Sequence, residues 1–132
     1  MIGVTDNMHT VLLVEDEPAI AEPLVKLMNF IGFKTTWTRD GVEALEWLVN
    51  ESTPDCILVD ITMPRMNGWQ FREAQLNNEK ISSIPVVFFS ADNRSALEAE
   101  KRGESFVAKP IDLDHLNATI RKTILKDKEA KI

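Results

Sequence analysis

Short apolar runs alternate along this chain with longer segments that are apolar on one helical face only. Four of the runs carry few polar residues, a pattern that predicts strands buried on both faces of a sheet. Another short segment is β-branched and aromatic, and its threonines predict a strand at the edge of that sheet. In chain order the predicted strands cover residues 10–14, 33–38, 56–60, 85–89 and 106–108.

The segments between and after these strands predict helices, because apolar residues recur at helical spacing beside capping and stop signals. The predicted helices cover residues 18–31, 41–51, 68–76, 93–102 and 113 to about 126. Their predicted N-terminal caps are Asp40 with Glu43, Asn67 with Gln70, and Asp92 or Asn93. Pro23 falls inside the first helix, where it removes a backbone hydrogen bond, so we expect a kink or a late start near it.

Strands that alternate with helices predict an α/β fold with a parallel sheet covered on both faces. Right-handed crossovers leave few arrangements of such a chain. We expect a doubly wound, five-stranded (βα)5 sheet of order 2-1-3-4-5, as in flavodoxin-like folds. This order makes the first and third strands neighbours and puts the strand around Thr36 at an edge.

Polar side chains follow four of the predicted strands at the point where each strand ends. Glu15 and Asp16 follow the first, Asp60 ends the third, Ser90 follows the fourth and Lys109 follows the fifth. Because the carboxyl ends of parallel strands share one edge of the sheet, we expect these side chains to converge. Each one alone has an ordinary explanation, such as a turn cap or a solvated charge, so their coincidence is the informative feature.

The predicted cluster has the composition of a phosphoryl-transfer site. Neighbouring carboxylates repel one another, which should raise the pKa of at least one of them, and Mg²⁺ would relieve the repulsion. A carboxylate can attack phosphorus to form an acyl phosphate, while an ammonium and a hydroxyl bind the phosphoryl oxygens. These properties predict Mg²⁺-dependent phosphoryl transfer onto Asp60, with Lys109 and Ser90 as the groups that bind the phosphoryl oxygens.

Composition and charge narrow the classes of function. The 132 residues suit one domain, and 44% hydrophobic with 27% charged residues is typical of a soluble globular protein. A net charge of −6 argues against direct binding to nucleic acid or to an anionic membrane, and the chain contains no apolar run long enough to cross a membrane. Cys56 is predicted to be a buried core thiol, and Trp37 and Trp47 to pack in the core or at the sheet edge.

The domain organisation follows from the same patterns. Residues 1–8 are predicted to be a flexible arm, residues 9–126 the folded domain and residues 127–132 a charged, fraying tail. We expect a cytoplasmic protein whose chain carries no separate output domain.

Four motifs resemble the receiver domain of two-component response regulators, and they occur in the same order. The resemblance covers roughly residues 9 to 126. The motifs are residues 12–18 (LLVEDEP), 57–68 (ILVDITMPRMNG), 89–92 (FSAD) and 106–110 (FVAKP). The resemblance implies a CheY-like receiver fold and a phosphorelay function.

The resemblance also implies a role for each site residue. Asp60 matches the phosphoacceptor, and Asp16 matches the acid that binds Mg²⁺ directly. Glu15 matches a neighbouring acid that acts through a metal-bound water, at a position where many members have aspartate. The backbone carbonyl of Thr62 matches a further Mg²⁺ ligand, beside Asp60 itself.

The remaining matches concern the response to phosphorylation. Ser90 and Lys109 match the hydroxyl and the lysine that bind the phosphoryl group, and the Lys109–Pro110 peptide bond matches one that is usually cis. Phe106 matches the aromatic switch residue, which is frequently tyrosine. Thr62 and Asp92 stand at positions that tune hydrolysis of the acyl phosphate.

The implied partners are a histidine kinase or phosphotransfer protein, which donates the phosphoryl group, and a downstream effector. The effector would bind the face formed by the fourth helix, fifth strand and fifth helix. A classical enzyme is not expected. One alternative is a Mg²⁺-dependent aspartyl-phosphate phosphatase, although such enzymes usually need an acid where Thr62 stands. A flavodoxin-like nucleotide binder is disfavoured because residues 15–17 would repel phosphate, and a pseudo-receiver that only binds partners is the last alternative.

Overall fold

The computed structural model describes residues 8–131, so the predicted arm lies outside the described residues except for Met8, as does residue 132. Strands and helices alternate throughout, as predicted. The elements in order are β1 (His9–Val14), α1 (Pro18–Phe30), β2 (Phe33–Thr38), α2 (Gly41–Asn50), β3 (Cys56–Asp60), α3 (Gly68–Leu76), β4 (Val86–Ser90), α4 (Asn93–Arg102), β5 (Ser105–Ala108) and α5 (Leu113–Ala130). Within this part of the chain, no helix has both the length and the apolar character needed to cross a membrane.

The five strands form one parallel sheet of order β2-β1-β3-β4-β5, which confirms the predicted topology. β2 lies at an edge, in agreement with its threonine content. The register pairs Val14 with Val59, and Asp60 with Phe89, so the ends of β1, β3 and β4 lie at nearly the same level. The carboxyl end of every strand therefore opens toward the same edge of the sheet.

Two hydrophobic cores cover the two faces of the sheet. In the first, here called the α1/α5 core, Leu24 and Ile120 pack against Leu13 and Leu58. In the second, the α2/α3 core, Phe71 packs against the opposite face of the sheet. Every residue of β3 is buried. Because side chains alternate between the two faces of a strand, both faces of β3 are therefore covered. Cys56 is fully buried as predicted, and this burial raises the pKa of its thiol to about 12.

Helix α1 begins at Pro18, so the expectation of a late start near Pro23 is wrong. Pro18 occupies the first turn, where a proline is compatible with a helix. Burial of Ala21, Leu24 and Met28 against the sheet stabilises the helix across Pro23. Pro23 itself is exposed, and water can bind the backbone carbonyl that it leaves without a donor.

Helix α5 continues to Ala130, so residues 127–130 are helical and the prediction of a fraying tail is wrong for them. Lysine, glutamate and alanine in this stretch favour a helix. Asp127 and Lys131 form an ion pair of 2.8 Å one helical turn apart, which supports the last turn. The charged composition that indicated a tail therefore belongs to the exposed face of a helix.

The predicted helix caps are present with one difference. Asn67 and Gln70 form a complete capping box, which fixes the start of α3 just after the loop that follows Asp60. Asp92, not Asn93, caps α4. Asp40 accepts the Glu43 N–H at 2.8 Å as predicted, but the Glu43 carboxylate accepts the N–H of Arg39 instead of that of the cap residue.

Candidate functional site

Three carboxylates meet at the carboxyl edge of the sheet. Glu15 and Asp16 follow β1, Asp60 ends β3, and one carboxylate oxygen of each lies within 4.8 Å of the others. These are the acidic residues for which the sequence predicted convergence. Glu15 is fully buried and Asp60 is only 2% exposed, so water screens their charges poorly.

Lys109 brings a cation into this acidic cluster. Its Nζ lies 3.2 Å from Asp60 Oδ2 and 3.6 Å from Glu15 Oε1. The side chain reaches these acids from the end of β5 across the intervening strand β4, and its Nζ lies 4.9 Å from the centre of the Phe89 ring. The peptide bond between Lys109 and Pro110 is cis, as the resemblance implied.

Two carboxylate oxygens in the cluster have no hydrogen-bond donor. Among the described residues, Glu15 Oε1 and Asp16 Oδ1 are the buried side-chain polar atoms left without a hydrogen bond. A buried carboxylate oxygen without a hydrogen bond is costly, and a hard divalent cation is a ligand that would satisfy it. The all-oxygen donor set suits Mg²⁺, and these residues therefore fit the predicted metal.

The pKa of the Glu15 carboxyl is raised to about 7. Burial is the largest cause, and the neighbouring charge of Asp60 raises this pKa further. The backbone N–H of Glu17 donates to Glu15 Oε2 at 3.0 Å and, with Lys109, acts in the opposite direction. The prediction that one clustered carboxyl has a raised pKa is confirmed for Glu15, although desolvation contributes more than repulsion.

Asp60 is held at both carboxylate oxygens. Its Oδ1 accepts the backbone N–H of Thr62 at 3.1 Å, and its Oδ2 accepts a hydrogen bond from Lys109. The loop after β3 therefore turns back toward the carboxylate on which the predicted chemistry depends. The role of the Thr62 carbonyl as a metal ligand stays a prediction.

Ser90 lies at the end of β4, beside β3, and is 2% exposed. Its Oγ accepts the backbone N–H of Asp92 at 3.1 Å, and its carbonyl accepts the N–H of Lys109 at 2.9 Å. Ser90 thus connects the end of β4 to the cap of α4 and to the lysine of the cluster. Phe106 pairs with Phe88 across β4 and β5 and is half-buried beside the α2/α3 core.

Two contacts to the backbone of Glu15 were not predicted. Its N–H donates to the carbonyl of Thr38 at 3.1 Å, and its carbonyl accepts the indole N–H of Trp37 at 2.8 Å. Trp37 does pack against the α1/α5 core, as the sequence predicted, but it also contacts the site. The chain carries no local signal for this contact, because it depends on the pairing register of β1 with β2.

Gly68 is a second residue whose importance to the site was not predicted. A β-carbon at this position would lie 2.8 Å from Ile61 Cα and 2.9 Å from the carbonyl oxygen of Asp60. Its N–H donates to the carbonyl of Ile61 at 2.9 Å. The start of α3 therefore packs directly on the backbone that carries Asp60, and the glycine that follows the Asn67 cap was an available signal for this close approach.

Comparison with known proteins identifies the family. A family model described as the response regulator receiver domain matches residues 11–121. The chain belongs to this family. The match includes Glu15, Asp16, Asp60, Ser90 and Lys109, the residues that converge at the carboxyl edge of the sheet.

Individual receiver proteins give a consistent comparison. The response regulator Rre1 of Synechocystis sp. is 30% identical over 121 residues, which cover 89% of this chain and 52% of that protein. The polar-differentiation response regulator DivK of Brucella ovis is 31% identical over 115 residues, covering 85% of this chain and 93% of DivK. The chain therefore spans about half the length of Rre1 but nearly the whole length of DivK.

Solved structures agree with the fold. The signal receiver domain of a histidine kinase from Syntrophus aciditrophicus has a TM-score of 0.77 and 27% identity, covering 89% of this chain and 91% of that one. Full-length FixJ from B. japonicum has a TM-score of 0.81 and 26% identity, covering 93% of this chain and 61% of FixJ. The receiver fold therefore occurs both in regulators and within kinases.

Proposed function

We propose that this chain is a phospho-accepting switch, in which Asp60 takes a phosphoryl group from a histidine kinase or phosphotransfer protein in a Mg²⁺-dependent reaction. The observation that carries the proposal is the position of Lys109 Nζ, 3.2 Å from Asp60 Oδ2 and beside the acids Glu15 and Asp16. A nucleophile, a cationic group and carboxylate oxygens that accept no hydrogen bond lie at one edge of the sheet, and these are the parts that phosphoryl transfer needs.

The chemistry follows from the atoms at this edge. An oxygen of Asp60 forms a bond to phosphorus while the bond from phosphorus to the donor nitrogen or oxygen breaks, which leaves an acyl phosphate. Asp16, Asp60, the Thr62 carbonyl and, through a water, Glu15 would hold the Mg²⁺. The bound cation would neutralise the acids and the phosphoryl oxygens. Lys109, now paired with the carboxylate, would bind one of those oxygens.

The same geometry supports a route from phosphorylation to partner binding. Ser90 Oγ now accepts the N–H of Asp92, the residue that caps α4. If the Ser90 hydroxyl turns to bind the phosphoryl group, it gives up that contact at the start of α4. Phosphorylation would then shift the population of conformers at the face formed by α4, β5 and α5, where Phe106 is half-buried and Leu97 is 63% exposed. We propose this face as the binding site for the downstream effector.

Within this proposal the chain is a signalling phosphoacceptor and not an enzyme with a free substrate. Thr62 occupies the position at which an aspartyl-phosphate phosphatase would usually carry a second acid. As the family suggests, the reaction would take place in the cytoplasm, with a kinase or phosphotransfer protein as donor. The chain matches only about half the length of Rre1, and the function proposed here concerns the receiver domain alone.

Intact-mass measurement after incubation with Mg²⁺ and acetyl phosphate tests the proposal. We expect the mass of one added phosphoryl group, which is lost in Asp60→Asn and in EDTA. Asp55→Asn is a matched control, because Asp55 lies just before β3, at the opposite end of that strand, and contacts Thr10. The proposal would be contradicted if the wild-type protein gained no phosphoryl group, or if the Asp60→Asn variant gained one as the wild type does.

Two further outcomes separate the alternatives. Catalytic release of phosphate from a small phosphate ester would favour the phosphatase. Partner binding that is unchanged both by phosphorylation and in Asp60→Asn would favour the pseudo-receiver.

A further inference from the structure

The backbone of Glu15 is held from both sides by the end of β2. The Glu15 N–H donates to Thr38 O at 3.1 Å, and the Glu15 carbonyl accepts Trp37 Nε1–H at 2.8 Å. The first of these contacts continues the pairing of β1 with β2. The second uses a side chain and lies at the carbonyl of the peptide that joins Glu15 to Asp16. The orientation of that peptide, together with the side-chain torsions, sets the directions in which the two carboxylates project.

The donor in this contact belongs to a side chain that packs on both the core and a neighbouring cation. An indole N–H can only donate, so Trp37 cannot exchange this carbonyl for a donor group. The ring is half-buried against the α1/α5 core, and the guanidinium carbon of Arg39 lies over it, 5.2 Å from the ring centre. A ring held in this way resists rotation, and it therefore restricts the movement of the Glu15 carbonyl.

The acids that this peptide carries need such support. Glu15 Oε1 and Asp16 Oδ1 accept no hydrogen bond, and Glu15 Oε1 is held only by the longer ion pair with Lys109 Nζ at 3.6 Å. Glu15 is also fully buried, with Oε2 tied to the N–H of Glu17. With so few hydrogen bonds on the carboxylates themselves, their directions depend in part on the backbone between them, to which Trp37 donates a hydrogen bond.

We propose that Trp37 is a positioning residue for the Mg²⁺ site, which it serves by holding the Glu15–Asp16 peptide in the orientation that directs both carboxylates at the cation. This inference rests on the Mg²⁺ site of the proposed function and adds to it a residue from β2, a strand that supplies none of the clustered acids. Groups that orient metal ligands typically change metal affinity by about 10–100-fold when removed. Trp37 acts on the ligands indirectly, through a single backbone carbonyl, so we expect its removal to change the metal affinity by the lower end of that range.

The test is Trp37→Phe, which removes the N–H donor and keeps an aromatic ring in the core. We expect the Kd for Mg²⁺, measured by calorimetry on the metal-free full chain, to rise by about tenfold. The Mg²⁺ concentration needed for half-maximal phosphorylation by acetyl phosphate should rise by the same factor, while the rate at saturating Mg²⁺ stays near that of the wild type. This division between affinity and maximal rate separates positioning of the metal from damage to Asp60.

Trp47→Phe is the matched control, since Trp47 is half-buried on α2 and packs against the α2/α3 core on the other face of the sheet. It should leave the Kd for Mg²⁺ unchanged. If Trp37 serves only to pack the core, Trp37→Phe will lower the midpoint of urea unfolding in EDTA and leave the Kd for Mg²⁺ at the wild-type value. That result overturns the inference while the proposed function stands.

A measurement on the wild-type chain covers the case in which Trp37→Phe does not fold. The chain has three tryptophans, so nitrogen-15 labelling gives three indole N–H signals to be followed during a Mg²⁺ titration. We expect the Trp37 signal to shift with the same Kd as the calorimetric binding and the Trp47 signal to stay unchanged. A Trp37 signal that does not move at saturating Mg²⁺ overturns the inference. A wild-type chain that binds no Mg²⁺ overturns the proposed function as well.

Discussion

Lys109 Nζ lies 3.2 Å from Asp60 Oδ2, although Asp60 ends β3 and Lys109 follows β5, with β4 between the two strands. The lysine reaches the acid by passing near the ring of Phe89 in β4, with Nζ 4.9 Å from the ring centre. The contact places the cation beside the proposed acceptor before any phosphoryl group is present. Lys109 therefore partly neutralises the acidic cluster, and a Mg²⁺ ion bound as proposed would compete with it for these oxygens.

Replacement of Lys109 by methionine tests this competition. We expect Lys109→Met to lower the free energy of unfolding in EDTA by about 2 kcal/mol, because the buried carboxylate loses a charge-assisted hydrogen bond. The same change should lower the Kd for Mg²⁺, since a competing cation is gone. Urea unfolding and calorimetry measure the two effects. Lys122→Met, at an exposed position of α5, is the control, and a weaker binding of Mg²⁺ in Lys109→Met would contradict the competition.

The raised pKa of Glu15 predicts a pH dependence of stability in the metal-free protein. Its folded-state pKa is about 7 against an ordinary value of 4.5, so the folded state binds this proton more tightly than the unfolded state. The stabilising contribution is complete below pH 4.5 and is lost as the pH rises through about 7. The total loss is on the order of 3 kcal/mol.

Glu15→Gln should remove this part of the pH dependence, because the amide does not titrate. The measurement is urea unfolding in EDTA across the range from about pH 5 to about pH 8, where the wild type should lose stability relative to the variant. Glu46→Gln, at an exposed position of α2, should behave as the wild type does. Parallel curves for the wild type and Glu15→Gln would show that Glu15 titrates alike in the folded and unfolded chain.

Gly68→Ala tests the close packing of α3 on the strand that carries Asp60. The added methyl group would lie 2.8 Å from Ile61 Cα, which cannot move without moving the backbone. We expect a loss of about 1–3 kcal/mol in the free energy of unfolding and slower phosphorylation by acetyl phosphate. Chemical unfolding and intact-mass kinetics provide the two measurements.

Gly41→Ala is the matched control for this substitution. Its methyl group would meet the end of the Met66 side chain, at 2.5 Å from the sulfur, and Met66 is flexible enough to move aside. The control should therefore keep near wild-type stability and phosphorylation. Equal effects of the two alanines would mean that the clearance at Gly68 has no special role.

A salt bridge at the other end of the sheet should affect stability alone. Arg72 Nε lies 2.9 Å from Glu104 Oε2, both side chains are 17% exposed, and Arg72 also donates to Gln75 at 2.8 Å. We expect Glu104→Gln to lower the free energy of unfolding by about 1–3 kcal/mol and to leave phosphorylation of the folded protein unchanged. Chemical unfolding and intact mass measure these results. Glu98→Gln breaks a more exposed ion pair, with Arg102, and should leave the unfolding midpoint where it is.

Much of the architecture follows from local pattern. Strands buried on both faces need continuous apolar runs, and the runs ending at Val14 and Asp60 meet that need, so their strands and their burial could be predicted. The chirality of the crossovers then limited the strand order, and the order brought the acids to one edge. Local pattern gave a wrong helix start where tertiary packing provides the stability. At Pro23, burial of neighbouring residues stabilises a helix that the proline alone disfavours.

By itself the sequence determined the alternation of strands and helices, the parallel sheet and the convergence of Glu15, Asp16, Asp60 and Lys109, because periodicity and chain connectivity are properties of the order of residues. Only the tertiary structure decided three features of the site. They are the hydrogen bond from the Trp37 indole to the Glu15 carbonyl, the lack of space for a β-carbon at Gly68, and burial as the largest cause of the raised pKa of Glu15. These depend on distances of a few tenths of an ångström and on solvent access. Both are set when remote segments pack together, so the order of neighbouring residues signals them only in part, as the glycine after the Asn67 cap does.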